Sequence, residues 1–266
     1  MFTPFAFRSI KKIEGIVLDP DAEAFLTATG ITDGTITSAI NNLVLDLKSN
    51  SLWTEMQIIY PFVGGTATTH KYNLKNPVDS NAAYRIGFNG GITHSSSGCQ
   101  TDGINGWLNT YQLGTSIGAS IGDFHLSIYA DNIIADNGGD FGCRNNTYWL
   151  LGNMRNASNQ YNARAWNNTA VFSASTQTAT QGFYIVKRTS TSQYEVGFNG
   201  AYLTSVQATT GRPSFTNVFG AYNDYGTVGL FNSRRFQTIT VGNGLTNGEA
   251  DTLQTIIETF NNSLSR

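Results

Sequence analysis

Charge is scarce in this chain. Lys, Arg, Asp and Glu make up 13% of 266 residues, against roughly 25% in ordinary soluble domains. The 16 basic and 18 acidic side chains leave a net charge of -2. Lys11-Lys12 and Arg234-Arg235 are isolated pairs, with no basic stripe around them. Nucleic-acid binding, which depends on clustered cations, is therefore not expected. Cysteine is nearly absent: Cys99 and Cys143 stand alone, outside any CxxC pattern. Sequence leaves open whether they pair, and two small buried side chains is the ordinary reading. The three histidines, His70, His94 and His125, are scattered, and no zinc-site spacing is legible. No apolar run approaches the roughly 18 residues of a membrane span. The leading MFTPFAFRSIKKIEG has no apolar core of signal-peptide length. A workplace outside a cell would then be reached by lysis, as with a virus particle.

Asn, Thr, Ser and 28 Gly take the place of charge, while hydrophobic residues stand at 40% and aromatics at 12%. That is the make-up of a folded, turn-rich β protein, not of a disordered one. The stretch QGFYIVKRTSTSQYEVGFNGAYLTSV (181–206) reads as strand, turn, strand, Asn199-Gly200 turn, strand. An Asn-Gly pair between alternating apolar residues predicts a type I′ hairpin, whose two central residues both need positive φ. IGFNG (86–90) and VGFNG (196–200) read as the same turn chemistry used twice. Further strands are expected at 106–109, 124–130, 147–154, 162–167, 182–188, 218–222 and 236–241, and a short one at 56–60.

Both ends read as helical. Asp19-Pro20 starts a helix carrying Ala22, Phe25 and Leu26, and Gly30 ends it. Thr32 or Asp33 caps a second helix with the apolar stripe Ile36, Ala39, Ile40, Leu43, Val44, Leu47. That stripe serves either packing on the β domain or docking, with Ile36, Ile40, Leu43, Val44 and Leu47 as the assembly candidates. Near the other end Thr246 and Glu249 form a capping-box pattern ahead of Ala250, Leu253, Ile256, Ile257 and Phe260. The expected organisation is a helical docking or oligomerisation segment, 1–78, and a β domain, 79–266.

The order FYIVKR, YEVGFNG, AYLTSV, VFGAYN and the closing FQTITVGNGLTNGEADTLQTIIETF resembles the laminin-G-like members of the concanavalin A-like jelly rolls. The resemblance implies a mainly β, antiparallel jelly-roll sandwich with an N-terminal helical segment and a short C-terminal helix. The front segment, with ITD before the amphipathic helix and the phrases WTEMQIIYPFVGG and HKYNLKNP, is similar to bacteriophage virion proteins that carry such a domain. It implies a non-enzymatic structural component of tail, fibre or capsid surface, made in the host bacterial cytoplasm. Its partners would be other virion proteins and further copies of itself, and its β domain would serve assembly and surface adhesion.

The alternative is a carbohydrate-binding, receptor-recognition module. A glycoside hydrolase is disfavoured, because its two carboxylates must flank the scissile bond. The only E-x-D is Glu249-Ala250-Asp251, inside the capped helix, and Glu195 is the only glutamate of the sandwich before it. No G-x-S-x-G and no P-loop occur, and His94 among Ser95, Ser96 and Ser97 reads as an ordinary loop. The chain is expected to be no enzyme and to need no cofactor. The exception is a calcium ion, for which Asp131, Asp136 and Asp140 offer hard oxygens without EF-hand spacing. For a host-surface glycan the candidates are Tyr222, Asn223, Asp224 and Tyr225, with Trp107, Trp149 and Trp166. They combine an aromatic face for sugar C–H groups with polar groups for hydroxyls.

Overall fold

The computed structural model describes residues 17–167 and 172–266. The stretch read above for a signal core lies outside them. Helices α1 (Pro20–Thr29) and α2 (Gly34–Ser49) open the described chain. Asp19 caps α1 with Pro20 at the first helical position, and Gly30 ends it in the left-handed region at φ 69°. Asp33, not Thr32, caps α2 by accepting from the Ile36 amide. The short α3 (Ala67–His70) follows β1 (Met56–Tyr60), and α4 (Asn247–Ser263) closes the chain behind the predicted Thr246–Glu249 box.

Two sheets account for the strands of the described residues. The first runs β13 (Ala201–Ser205), β12 (Tyr194–Phe198), β11 (Gly182–Arg188), β6 (Phe124–Asp131), β17 (Arg235–Gly242), β4 (Gly98–Thr101), β3 (Ile92–Ser95), and β1 also pairs with β17. The second runs β10 (Phe172–Thr176), β9 (Gln160–Ala165), β8 (Trp149–Asn153), β7 (Phe141–Arg144), β14 (Thr216–Phe219), β5 (Trp107–Leu113), β2 (Gly87–Asn89). The small hairpin of β15 (Tyr222–Asp224) and β16 (Thr227–Gly229) attaches to β7, and β15–β7 is the parallel pair of an otherwise antiparallel fold. This is the expected two-sheet sandwich with helical ends.

Period two explains the layers. Tyr184 and Val186 of β11 and Leu126 and Ile128 of β6 meet Phe141, Leu150, Ala163 and Phe219 of the other sheet in the central core. Cys99 and Cys143 both point into that core as free thiols, one from each sheet. The alternate residues Phe183, Ile185 and Tyr129 face out of the first sheet, where α1, α2 and α4 cover them in a second core. Here the docking expectation needs correction. Ile40, Leu43, Val44 and Leu47 are at most 1% exposed, and half-buried Ile36 packs on the same cluster. The stripe is consumed inside the fold because the outward face of the first sheet is itself apolar and needs a cover. Polar ties seat the closing helix: Lys187 Nζ donates to Asn247 Oδ1 at 2.6 Å, and Asn261 Nδ2 to Thr238 Oγ1 at 3.1 Å.

The two Asn-Gly turns part ways. Asn199 (φ 47°) and Gly200 (φ 78°) close the β12–β13 hairpin, with Phe198 opposite Ala201. Asn89-Gly90-Gly91 instead carries the chain from one sheet to the other, since β2 pairs with β5 and β3 with β4. Gly90 is pressed on Asn105: a Cβ there would lie 2.0 Å from the Asn105 carbonyl oxygen. The expected 218–222 strand is broken by Gly220 at φ 75° into β14 and β15.

Candidate functional site

The outward face of the second sheet differs from that of the first. Phe141 and Cys143 of β7, Leu150 of β8, and Ala163 and Ala165 of β9 point into the core. Alternation therefore sends Arg144, Trp149 and Arg164 outward from three adjacent strands. Trp149 stands between the two arginines, with Arg144 Cζ 4.0 Å and Arg164 Cζ 4.2 Å from its ring centroid. The cations come from the strands on either side of β8.

The β15–β16 hairpin extends the row. Tyr222 lies over Gly142, where a Cβ would come within 2.5 Å of its ring, and 6.2 Å from Trp149 between centroids. Tyr225 (φ 53°) and Gly226 (φ 92°) form the turn between Asp224 and its partner Thr227. That turn leaves Tyr225 41% exposed, 5.0 Å from Arg144 Cζ. Arg144 grips Asp224 through two parallel hydrogen bonds, from Nε to Oδ1 and from Nη2 to Oδ2. This bond raises the Arg144 pKa, whereas burial lowers that of Arg164. Two donors are left over: Arg164 Nε and Tyr222 Oη are buried and have no hydrogen-bond partner. The patch thus carries two guanidiniums against one carboxylate, with an exposed tyrosine at its rim.

Of the seven residues expected at a glycan site, Trp149, Tyr222, Asn223, Asp224 and Tyr225 come together here. Two do not. Trp166 is fully buried and stacks on Phe124 at 3.9 Å. Trp107 shares the outward face but lies three strands and about four residues away, roughly 20 Å by strand spacing. Roles also shift. Asn223 braces its own turn, donating to the Thr216 carbonyl and accepting from the Gly226 amide, both at 2.8 Å. Trp149 is already engaged by both arginines. Arg144 and Arg164 were not anticipated. The signal for them was an arginine at an outward position on each strand beside the Trp149 strand.

Each of the three calcium candidates lies beside a cation of the chain itself. Asp131 pairs with Arg235, its cross-strand neighbour. Asp140, wholly buried, accepts from Arg234 Nε at 2.9 Å, and Asp136 lies 3.4 Å from Arg234 Nη2. Asp136 and Asp140 do converge, but on a guanidinium with no exposed side-chain surface. The negative charge that would hold a cation is spent on arginine. Elsewhere, an open cleft of about 290 Å³ lies between the sheet edges, lined by Tyr161, Gln177, Phe198 and Tyr202.

No protein-family model matches the chain, and no curated protein matches it. Solved structures do. A mutant Trypanosoma rangeli sialidase displaying trans-sialidase activity superposes with a TM-score of 0.55 at 9% identity, over 86% of this chain and 39% of that one. Domain 4 of an extracellular arabinanase from Geobacillus stearothermophilus, solved with arabinotriose, gives 0.51 at 10% identity, over 75% of this chain and 98% of that domain. The chain therefore spans well under half the length of the sialidase it resembles. At such identities the likeness shows the sandwich fold.

Proposed function

We propose that this chain is a non-enzymatic glycan-binding module whose site is the Arg164–Trp149–Arg144–Tyr222–Tyr225 row, with a carboxylate-bearing sugar as the favoured ligand. The observation that carries this is the exposed ring of Tyr225 beside two guanidiniums and one carboxylate, with the buried Arg164 Nε and Tyr222 Oη left without partners behind it. A guanidinium with a free N–H binds a carboxylate through a charge-assisted bond, and Tyr225 offers a face for sugar C–H groups. The same fold in an arabinanase domain that holds arabinotriose supports the reading. The absence of catalysis is part of the proposal, since the patch brings one carboxylate, Asp224, already held by Arg144.

The test is binding of the intact protein to an array of neutral and acidic glycans. Binding to acidic glycans is expected, with loss of roughly tenfold or more in Arg164→Ala and Tyr225→Ala at unchanged circular dichroism; truncated anchors of an interface cost about 1–2 kcal/mol each. An array blank for wild type, or variants binding as wild type does, overturns the site.

The setting of this module follows from a different observation, the WTEMQIIYPFVGG and HKYNLKNP phrases. On these we place the module on a bacteriophage particle, assembled with other virion proteins. Gold-labelled antibody against the chain on purified particles tests that placement, and unlabelled particles alongside labelled purified protein would refute it.

A further inference from the structure

We propose that His70, His94 and Cys99 form a binding site for one borderline-soft transition-metal ion, with Zn²⁺ the best fit. The sequence shows no metal spacing because the three residues arrive from three elements. His70 is the last residue of α3, and His94 and Cys99 sit directly opposite each other on the β3–β4 hairpin. Direct cross-strand partners put their side chains on one face of the sheet. The end of α3 then brings the third donor over that pair. The potential ligand atoms of all three lie within 4.8 Å of one another, and the two Nδ1 atoms are 3.0 Å apart. Zn–N bonds of 2.0–2.1 Å at a tetrahedral angle place two nitrogens about 3.3 Å apart. Closing all three residues onto an ion thus needs shifts of about an ångström.

The donor set selects the ion. Two imidazoles and a thiolate suit zinc and its neighbours, and do not suit calcium or magnesium, which take oxygen ligands. The two Nδ1 atoms share a hydrogen bond in the absence of an ion, while His70 Nε2 is buried without a partner, so one nitrogen of this ring is unmet by the protein. The rings of Phe62 and Phe88 wall the site, 5.6 Å from His70 and 4.5 Å from His94. Half-buried His94 is the most exposed of the three, beside buried His70 and Cys99. The neighbouring cation is Arg266, which donates to the carbonyls of Phe62, Pro61 and Gln237 and to that of Ser96 in the hairpin turn. Next to that charge the thiolate is needed. On binding, Cys99 gives up its proton to solvent, its sulfur bonds the ion, and the added charge is reduced from two to one.

Cobalt(II), which takes zinc sites and is coloured, is the probe. The full chain titrated with Co²⁺ near neutral pH is expected to bind one equivalent. It should show a thiolate-to-cobalt charge-transfer band and the visible bands of a tetrahedral ion, all abolished by Zn²⁺. Cys99→Ser should remove the charge-transfer band and Cys143→Ser should keep it. His94→Ala, at a partly exposed position, should weaken cobalt binding by at least about tenfold, a loss that removing even an outer hydrogen-bond partner of a metal ligand produces. Folded wild-type protein without the charge-transfer band at saturating cobalt overturns the site. So does a band that persists in Cys99→Ser. If Cys99→Ser does not fold, His94→Ala decides, and unchanged cobalt affinity in that variant refutes the proposal.

Discussion

Removing the carboxylate of Asp140 takes the nearer of two partners from a charge that has no route to solvent. Asp140 and Arg234 both have fully buried side chains. Asp140 Oδ1 accepts from Arg234 Nε at 2.9 Å and Asn232 Nδ2 at 2.6 Å, while Oδ2 accepts from the Met154 amide. Asp140→Ala ends all three bonds. Breaking a buried pair from one side costs about 3–5 kcal/mol. Arg234 keeps the Arg155 carbonyl at 2.9 Å and Asp136 at 3.4 Å, which favours the lower end of that range. A loss of about 3 kcal/mol corresponds to roughly 6–12 °C in melting temperature for a chain of this size. Urea unfolding, read as a shift in midpoint at constant slope, measures it. Replacing the pair together, as Asp140→Leu with Arg234→Met, should recover part of the loss, because the charge then left without its partner is Asp136, which reaches solvent. Calcium should not move the wild-type midpoint. A loss below about 1 kcal/mol, the worth of a surface pair, would refute the reasoning, as would a double variant no better than Asp140→Ala.

Leu43→Ala should cost about 2–5 kcal/mol through cavity formation and leave the elution volume in size-exclusion chromatography unchanged; a changed oligomeric state at unchanged stability would restore the docking role of α2. Deleting residues 1–78 removes β1, α1 and α2 and strips the cover from Phe183, Ile185 and Tyr129, so the remainder should lose cooperative melting, and a sharp transition in it would show an independent β domain. Acid should weaken the fold early. Burial holds His70 down to about 3 and His125 down to about 4, so below about pH 6.5 the unfolded chain takes up protons that the native one refuses. Each imidazole then costs about 1.4 kcal/mol per pH unit from about pH 6.5 down to its own folded value, with no effect above that window; equal urea midpoints near pH 7 and pH 5 would rule this out. Asn73→Ala should cost roughly 2–4 kcal/mol, because a buried amide meets several backbone groups at once, and a smaller change in urea midpoint would count against that role.

Local chemistry was legible where it is self-contained. Asp19-Pro20, Asp33, Thr246 with Glu249, and Asn199-Gly200 each declare a conformation within four residues, and each adopts it. The phrase HKYNLKNP has a similar local logic that only the structure shows. Asn73 Oδ1 accepts from the amides of Ile59 and Lys75, and its Nδ2 donates to the carbonyls of Gln57 and Ala83. One side chain thereby pins the loop to β1. What sequence hides is coincidence between distant segments. Asn89-Gly90 matches Asn199-Gly200 in composition, yet Asn105, 15 residues from Gly90, helps decide its course. The carboxylates at 131, 136 and 140 looked available because the arginines that hold them lie about a hundred residues on. His70, His94 and Cys99 carry no motif for the same reason.

The two outward faces show why a single alternation pattern ends in two roles. On β11 the outward residues are Phe183, Ile185 and Lys187: the first two are apolar, and the third is consumed by Glu195 and Asn247. Such a face gains most by being covered, and three helices cover it. On β7, β8 and β9 the outward residues include Arg144, Trp149 and Arg164, whose charges would be costly to bury under a helix without partners. Among the described residues no helix covers that face, and it satisfies itself sideways, cation on ring and guanidinium on carboxylate, until Arg164 Nε and Tyr222 Oη remain. Buried donors unmet by the protein, beside the exposed Tyr225, mark where an external acceptor would gain most. The proposed glycan site accordingly lies on the second sheet, while α1, α2 and α4 cover the first.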